Sequence, residues 1–347
     1  MKIRKFEIQD YKIFKKINID FTDKDDNSLP IIIIAGINGT GKTTILEYLY
    51  NSDNYYFREF NQDKMEFEYD GKIIELPSMT FEWREYFKDI IKGNFKGHSV
   101  QKIIEEKVIY IPANKGLEDI KNLMPLYIEN MIYKEDARAS EIHQRVRDNI
   151  NNIFKDLNLS IEFDSRNGKG DLFFRNKKGE KLSIDDLSTG EKTLILKILY
   201  LYIKEIKNSV ILIDEPELSL HPKWQNQVLK LYENFAKENN CQIIIATHSP
   251  HIIGSAKNEY IRVLTEDGVI NDVLAYGRDI EWVLEEVMGA SYTREHTISK
   301  KIKACQGLLE EDKYDEVEKC IDEIESVIGK DDREIMALRN SLEFWRD

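Results

Sequence analysis

Three short stretches of this chain carry residue types and spacings suited to chemistry on phosphate. Gly36-Ile37-Asn38-Gly39-Thr40-Gly41-Lys42-Thr43 directly follows the apolar run Ile31-Ile32-Ile33-Ile34-Ala35. Where a buried strand ends in such a glycine-rich loop, successive backbone N–H groups, here those from Asn38 to Thr44, can turn toward phosphate oxygens, and the helix beginning there adds its positive end. Lys42 is expected to reach the β- and γ-phosphates of a nucleoside triphosphate, and Thr43 to place its hydroxyl on Mg2+. A second apolar run, Val210-Ile211-Leu212-Ile213, ends in Asp214-Glu215. Asp214 is placed to hold Mg2+, and Glu215 to orient and deprotonate an attacking water. Acidic residues after a strand are common, so their weight comes from standing beside the phosphate loop. Upstream, Leu187-Ser188-Thr189-Gly190-Glu191-Lys192 opens a helix with Ser188 as N-cap and Glu191 at the capping-box position.

The elements that must position these groups show in the hydrophobic pattern. Residues 1–35 alternate with the strand period through Ile3, Phe6, Ile8, Ile13, Ile17, Ile19 and Phe21, with a polar turn at Asp23 to Ser28. Hairpins are predicted for 65–69 with 72–76 around Asp70-Gly71, and for 160–163 with 171–174. A buried strand is expected at Val108 to Pro112, and a helical insertion over about 114–158, its helical pattern running from Pro125 to Leu157. Then a helix from Thr193 to Ile206, the carboxylate strand, a helix from about Lys223 to Asn239 and a strand from Gln242 to Ala246 alternate. This order predicts an α/β fold with a largely parallel sheet, helices on both faces and an antiparallel β subdomain. Beyond Tyr276 the pattern is helical only, so the expected domains are 1–276 and an all-helical 277–347 that joins copies of the chain or binds a partner.

The totals bound the function. A net charge of −13 argues against a protein that coats nucleic acid over its whole surface. From Arg278 to Asp347 there are 11 Lys and Arg against 19 Asp and Glu, so most of the excess acid lies in the helical tail. Basic clusters at Lys2 to Lys16 and Arg166 to Lys181 leave contact with DNA open. No apolar stretch approaches the ~20 residues that span a bilayer, and Met1 to Phe6 does not open a signal peptide, so a cytoplasmic protein is expected. Cys241, Cys305 and Cys320 are too scattered for a disulfide framework or a zinc site.

Taken in order, the phosphate loop, Leu-Ser-Thr-Gly-Glu-Lys at 187–192, Asp-Glu-Pro-Glu-Leu-Ser-Leu-His-Pro at 214–222 and Thr-His-Ser-Pro at 247–250 resemble the motif set of ABC-type ATPase heads. Their spellings are similar to the RecF, SMC and OLD branch and not to transporter subunits, which read Gly-Gly-Gln in the signature and Ser-Ala-Leu-Asp after the carboxylates. The resemblance implies a P-loop NTPase fold, ATP and Mg2+ as ligands, and Lys42, Glu215 and His248 as catalytic residues. It implies that Ser188, Gly190 and Glu191 grip the γ-phosphate of a nucleotide held by an opposite subunit, so that the site is complete only in a homodimer or higher oligomer. A ring-forming AAA+ motor fits less well, because the signature and switch histidine belong to such a sandwich.

The tail segments Tyr276-Gly277-Arg278-Asp279-Ile280, Val283 to Gly289 and Gly329-Lys330-Asp331-Asp332 are similar to those of compact bacterial antiphage ATPases, the Septu PtuA family above all. That family implies a separately encoded HNH nuclease as partner and DNA as its target. The alternatives are a nucleotide-gated scaffold that holds a nuclease inactive with little turnover, and a RecF-like repair or recombination ATPase. Tyr11-Lys12 stands where the resembled branch contacts the base or phosphates, and reads equally well as a surface Tyr and Lys after a strand. The glutamine loop finds only poor candidates in Gln62 and Gln101, and Pro112-Ala113-Asn114-Lys115 stands where relatives often carry arginine.

Overall fold

Strand β3 (Ile31–Ala35) is apolar along its whole length because both of its faces are covered. In the computed structural model, which describes residues 1–50, 63–76, 107–113, 117–135, 138–156, 159–168, 171–271, 273–290 and 294–346, β3 is central to a six-stranded sheet. Gln62, Gln101, Asn114 and Lys115 lie outside the described residues. The sheet order is β13-β12-β3-β11-β10-β6, with β6 at Val108–Ile111, β10 at Val210–Asp214, β11 at Gln242–Thr247, β12 at Ile261–Thr265 and β13 at Gly268–Asn271. All pairs are parallel except the closing hairpin β12–β13. The register sets Asp214 opposite Ala246 and Thr247 opposite Ala35, so three chemistry-bearing strand ends finish side by side. Ligands of open α/β sheets collect beyond such carboxyl ends.

Two smaller antiparallel sheets accompany it. The first, in order β2-β1-β4-β5, joins β1 (Lys2–Tyr11), β2 (Phe14–Asp20) and the expected hairpin of β4 (Lys64–Tyr69) and β5 (Lys72–Leu76). Phe6 of β1 packs on Tyr48 of α1 (Lys42–Tyr50), the helix that follows the phosphate loop. Buried Gln242 bonds the backbone of Ile3 at 2.7 and 2.8 Å and of Leu29 at 3.0 Å, which ties β11 to this sheet. The second has β7 (Ile161–Arg166), β8 (Leu172–Asn176) and β9 (Lys181–Ser183). Against it lie α2 (Leu117–Glu135), α3 (Ala139–Asp156) and α4 (Thr189–Ile203), whose shared core includes Ile128, Val146, Phe154, Phe174, Ile195 and Leu199. The insertion thus shares its core with the helix that carries the signature-like motif. Helix α2 starts at Leu117, earlier than the expected Pro125, which sits inside it. A proline there removes one backbone bond, while buried Met124 and Ile128 anchor the helix on either side.

Helices α5 (Pro222–Glu238) and α6 (Pro250–Ser255) complete the first of two compact units, Met1–Val283. Residues 277–283, expected with the tail, belong to this unit, because Gly277 donates to the carbonyl of Gly254 at 2.9 Å and Val283 is buried. The second unit, Leu284–Asp347, contains α7 (His296–Glu310), α8 (Tyr314–Ile328) and α9 (Arg333–Arg346) around an apolar seam of Ile302, Cys305, Val317, Ile321, Ile324, Ile335, Leu338 and Leu342. Among the described residues, no helix is long and apolar enough to cross a membrane.

Candidate nucleotide site

The phosphate loop owes its shape to glycine. Gly39 and Gly41 take φ of 93° and 94°, a region that L side chains avoid. A Cβ on Gly41 would come within 2.4 Å of the Phe14 ring and 2.6 Å of Ile13, and one on Gly36 within 2.8 Å of the Leu264 carbonyl. The loop is therefore pressed against β2 and β12, and only bare backbone fits. Lys42 is buried and donates to the carbonyls of Gly36 and Ile37 at 2.9 and 3.0 Å. Burial depresses its pKa, while Glu215, Glu217 and Asp214 counter the effect. Asn38 and Gly39 form the exposed rim of the loop, Thr40 is half-buried, Gly41 leads into α1, and Thr43 and Thr44 lie in its first turn.

Asp214 meets the loop where the register places it. The Thr43 hydroxyl lies 3.1 and 3.2 Å from its two carboxylate oxygens, and the Tyr110 hydroxyl of β6 donates to it at 3.3 Å. Burial raises the carboxyl pKa, and these hydrogen bonds oppose the rise. A hydroxyl and a carboxylate converging on one point, at the mouth of the phosphate loop, form the all-oxygen donor set that Mg2+ prefers with substrate phosphates completing its shell. The residues present fit the ion.

Beyond Asp214 the chain turns sharply. Glu215 has φ of 44°, unusual for a side chain of its size, and its N–H donates to Ala246 at 2.9 Å. Its carboxyl pKa is pushed up to about 8, first by burial and then by Glu217. Glu217 is almost fully buried and accepts from the Thr247 hydroxyl and from the His248 N–H at 3.1 Å. Glu215, Glu217 and His248 bring ligand-type atoms within 4.8 Å of one another. Glu215 Oε2 lies 2.5 Å from His248 Nδ1, yet neither atom completes a hydrogen bond, because the approach is off the line such a bond needs. Buried polar atoms left open at a strand end are what a ligand completes.

The signature-like residues meet a different turn. Ser188 caps α4, with the reciprocal capping box to Glu191 formed as the spacing predicted. A Cβ on Gly190 would stand 2.4 Å from the carbonyl oxygen of Ser219, itself at φ 67°, so the start of α4 rests on the 215–220 turn. That turn reaches the histidine segment through Gln225, which donates to Leu220 O at 2.9 Å and accepts from Ser249 Oγ at 2.7 Å. Lys12 is paired with Glu47 of α1 and sits 5.5 Å from the Tyr11 ring, beside the loop helix. Glu217, Tyr110, Gln225 and Lys197 were not singled out as site residues by the sequence. Only the motif that contains Glu217 pointed toward any of them.

A family model described as an AAA ATPase domain matches residues 84–253. The chain is 26% identical to the Septu protein PtuA of Bacillus thuringiensis over 348 residues, covering 82% of this chain and 85% of that one. It is 30% identical to the Retron Vc95 probable ATPase of Vibrio cholerae serotype O1 biovar El Tor over 202 residues, covering 54% and 38%. The chain is an ATPase, similar in sequence to PtuA and to the retron ATPase. Over 97 residues this ATPase is also 30% identical to the OLD nuclease of Thermus scotoductus, covering 27% of this chain and 18% of that one. It therefore spans most of PtuA but less than two thirds of the retron ATPase and of the OLD nuclease.

Proposed function

We propose that this ATPase binds Mg-ATP at the carboxyl ends of β3, β10 and β11, hydrolyses it between two copies of the head, and through that cycle controls a partner nuclease in antiphage defence. The observation that carries the reading is the convergence of Lys42, Thr43, Asp214, Glu215, Glu217 and His248 at the carboxyl end of the sheet. The N–H groups of residues 38–44 and the Lys42 ammonium bind the phosphates. Thr43 and Asp214 would hold Mg2+, which supplies positive charge to the phosphate oxygens. Glu215 orients water and takes its proton, Glu217 fixes the backbone of His248, and the His248 side chain, partly exposed, meets the γ-phosphate. Ser188, exposed at the start of α4, and Gly190, close against Ser219, face a second head, with Glu191 holding the cap. Similarity to PtuA across most of its length supports a Septu-like role with a separate HNH nuclease and DNA as the target.

Glu215→Gln tests the chemistry. Phosphate release should fall by about 10²–10⁴-fold while ATP binding is kept, and ATP-dependent dimerisation followed by light scattering should strengthen. Unchanged phosphate release would overturn the mechanism.

A further inference from the structure

Lys197 is a lysine in an unlikely place. It lies on α4 among Leu194, Ile195, Leu196, Ile198 and Leu199, and is 1% exposed. Long cationic side chains normally keep their heads in water, and burying an ammonium is costly unless it is paired and hydrogen-bonded. A residue serving only to pack this helix would be apolar like its neighbours. Its Nζ donates to the backbone carbonyl of Glu215 at 3.1 Å; burial pushes its pKa down to about 8, and the nearby carboxylates of Glu217, Asp214 and Glu215 oppose that fall.

That carbonyl belongs to the most constrained backbone in the site. Glu215 adopts φ 44°, which a non-glycine residue keeps only where its surroundings over-determine it, and Pro216 narrows its choices further. Its N–H is fixed to Ala246 O, so Lys197 supplies the restraint on the other side of the residue. With the peptide groups on both sides of its Cα held, the direction in which the Glu215 Cα–Cβ bond leaves the backbone is fixed. The same helix begins at Ser188 and rests through Gly190 on Ser219. A helix is stiff over these nine residues, so a displacement at its start is carried to Lys197.

We infer that Lys197 is a positioning residue, holding the Glu215 backbone so that its carboxylate meets the attacking water, and that it links this placement to the end of α4 that faces a second head. The inference rests on the proposed role of Glu215 as base.

Lys197→Met removes the donor and the charge at similar volume. It should leave ATP affinity and KM within about twofold of the native protein and lower kcat by about 10–100-fold. Lys197→Gln, which keeps a donor without the charge, should give an intermediate kcat. In a Glu215→Gln background, Lys197→Met should lower the residual turnover no further, since both act through one carboxylate. A kcat within about twofold of native, or an equal loss in both backgrounds, overturns the inference. If Lys197→Met does not fold, Lys197→Gln carries the same comparison. Should Glu215→Gln alone retain full turnover, it is the hydrolytic reading that fails; native kcat in Lys197→Met beside an inactive Glu215→Gln removes only the positioning role.

Discussion

Buried charge is handled in opposite ways by the two compact units. In Met1–Val283, Lys42, Lys197, Asp214 and Glu217 are buried around the ends of β3 and β10, and Glu215 carries a left-handed backbone. In Leu284–Asp347, the buried seam consists of aliphatic residues and Cys305, while charged groups pair on the outside, as Arg346 does with Asp315 and Glu318. Among the described residues, every buried polar or charged side chain lies in the first unit. Burying charge costs stability, so it persists where chemistry needs it, and an apolar seam with surface ion pairs is what stability alone selects. The contrast is what the proposed chemistry in one unit and plain packing in the other would produce, and it makes claims that substitutions can break.

The sharpest test of the packing unit is Ile321→Ala. Ile321 is fully buried in the seam between α7, α8 and α9. Truncation should reduce the stability of these helices by about 2–5 kcal/mol, read as lost hydrogen-exchange protection across residues 296–346. ATP affinity should stay within about twofold, because no group of the phosphate loop belongs to this unit. A collapse of ATP affinity would break the division of labour.

Gly190→Ala probes the other side. The new Cβ meets a backbone oxygen at 2.4 Å, so the 215–220 turn or the start of α4 must move. A displacement of this size can cost on the order of 100-fold in rate, so phosphate release should fall by that factor while far-ultraviolet circular dichroism stays native. Native turnover would show that the contact between α4 and the turn is dispensable.

These two positions also mark how far the sequence could be read. Phosphate loop, carboxylate strand and capping box are local patterns: each depends on residues within a few positions, and each formed as spelled. The parallel sheet followed from strands alternating with helices. Glu217, Tyr110 and Lys197 act through strand order and register, which set β6 beside β10 and β10 beside β11. Nothing in a helix reading Leu-Ile-Leu-Lys-Ile-Leu says that its lysine turns inward, because the carbonyl it finds belongs to a turn eighteen residues away. The apolar pattern turns helical only from Pro125, yet the helix starts at Leu117, because tertiary packing of Met124 and Ile128 carries it across the proline. The unit boundary lies past 277 because a backbone bond to Gly254 and the burial of Val283 join that segment to the first unit.

The smallest effect concerns a charge the packing unit does use. Asp332 accepts from the N–H groups of Glu334 and Ile335 at 3.1 and 3.3 Å, which caps α9, and pairs with Arg294 at 2.6 Å. The hydrogen bond from Arg294 is the main reason its carboxyl sits below the usual aspartate range, and the backbone donors add to it. A carboxylate with a depressed folded pKa contributes stability that is present above its unfolded value, about 3.9, and is lost as pH falls through the folded one. Asp332→Asn keeps a capping oxygen and loses the charge, so it should cost about 0.2–1 kcal/mol at pH 7, the range for a solvent-screened pair. The deficit should shrink as both proteins are taken toward acid, because the native side chain then becomes neutral too. Hydrogen exchange of the α9 amides, followed from pH 7 to well below about 3.9 and corrected for intrinsic rates, measures that gap. A deficit that stays constant with pH would mean that Asp332 serves α9 through its cap alone, and that this unit, unlike the first, draws nothing measurable from its charges.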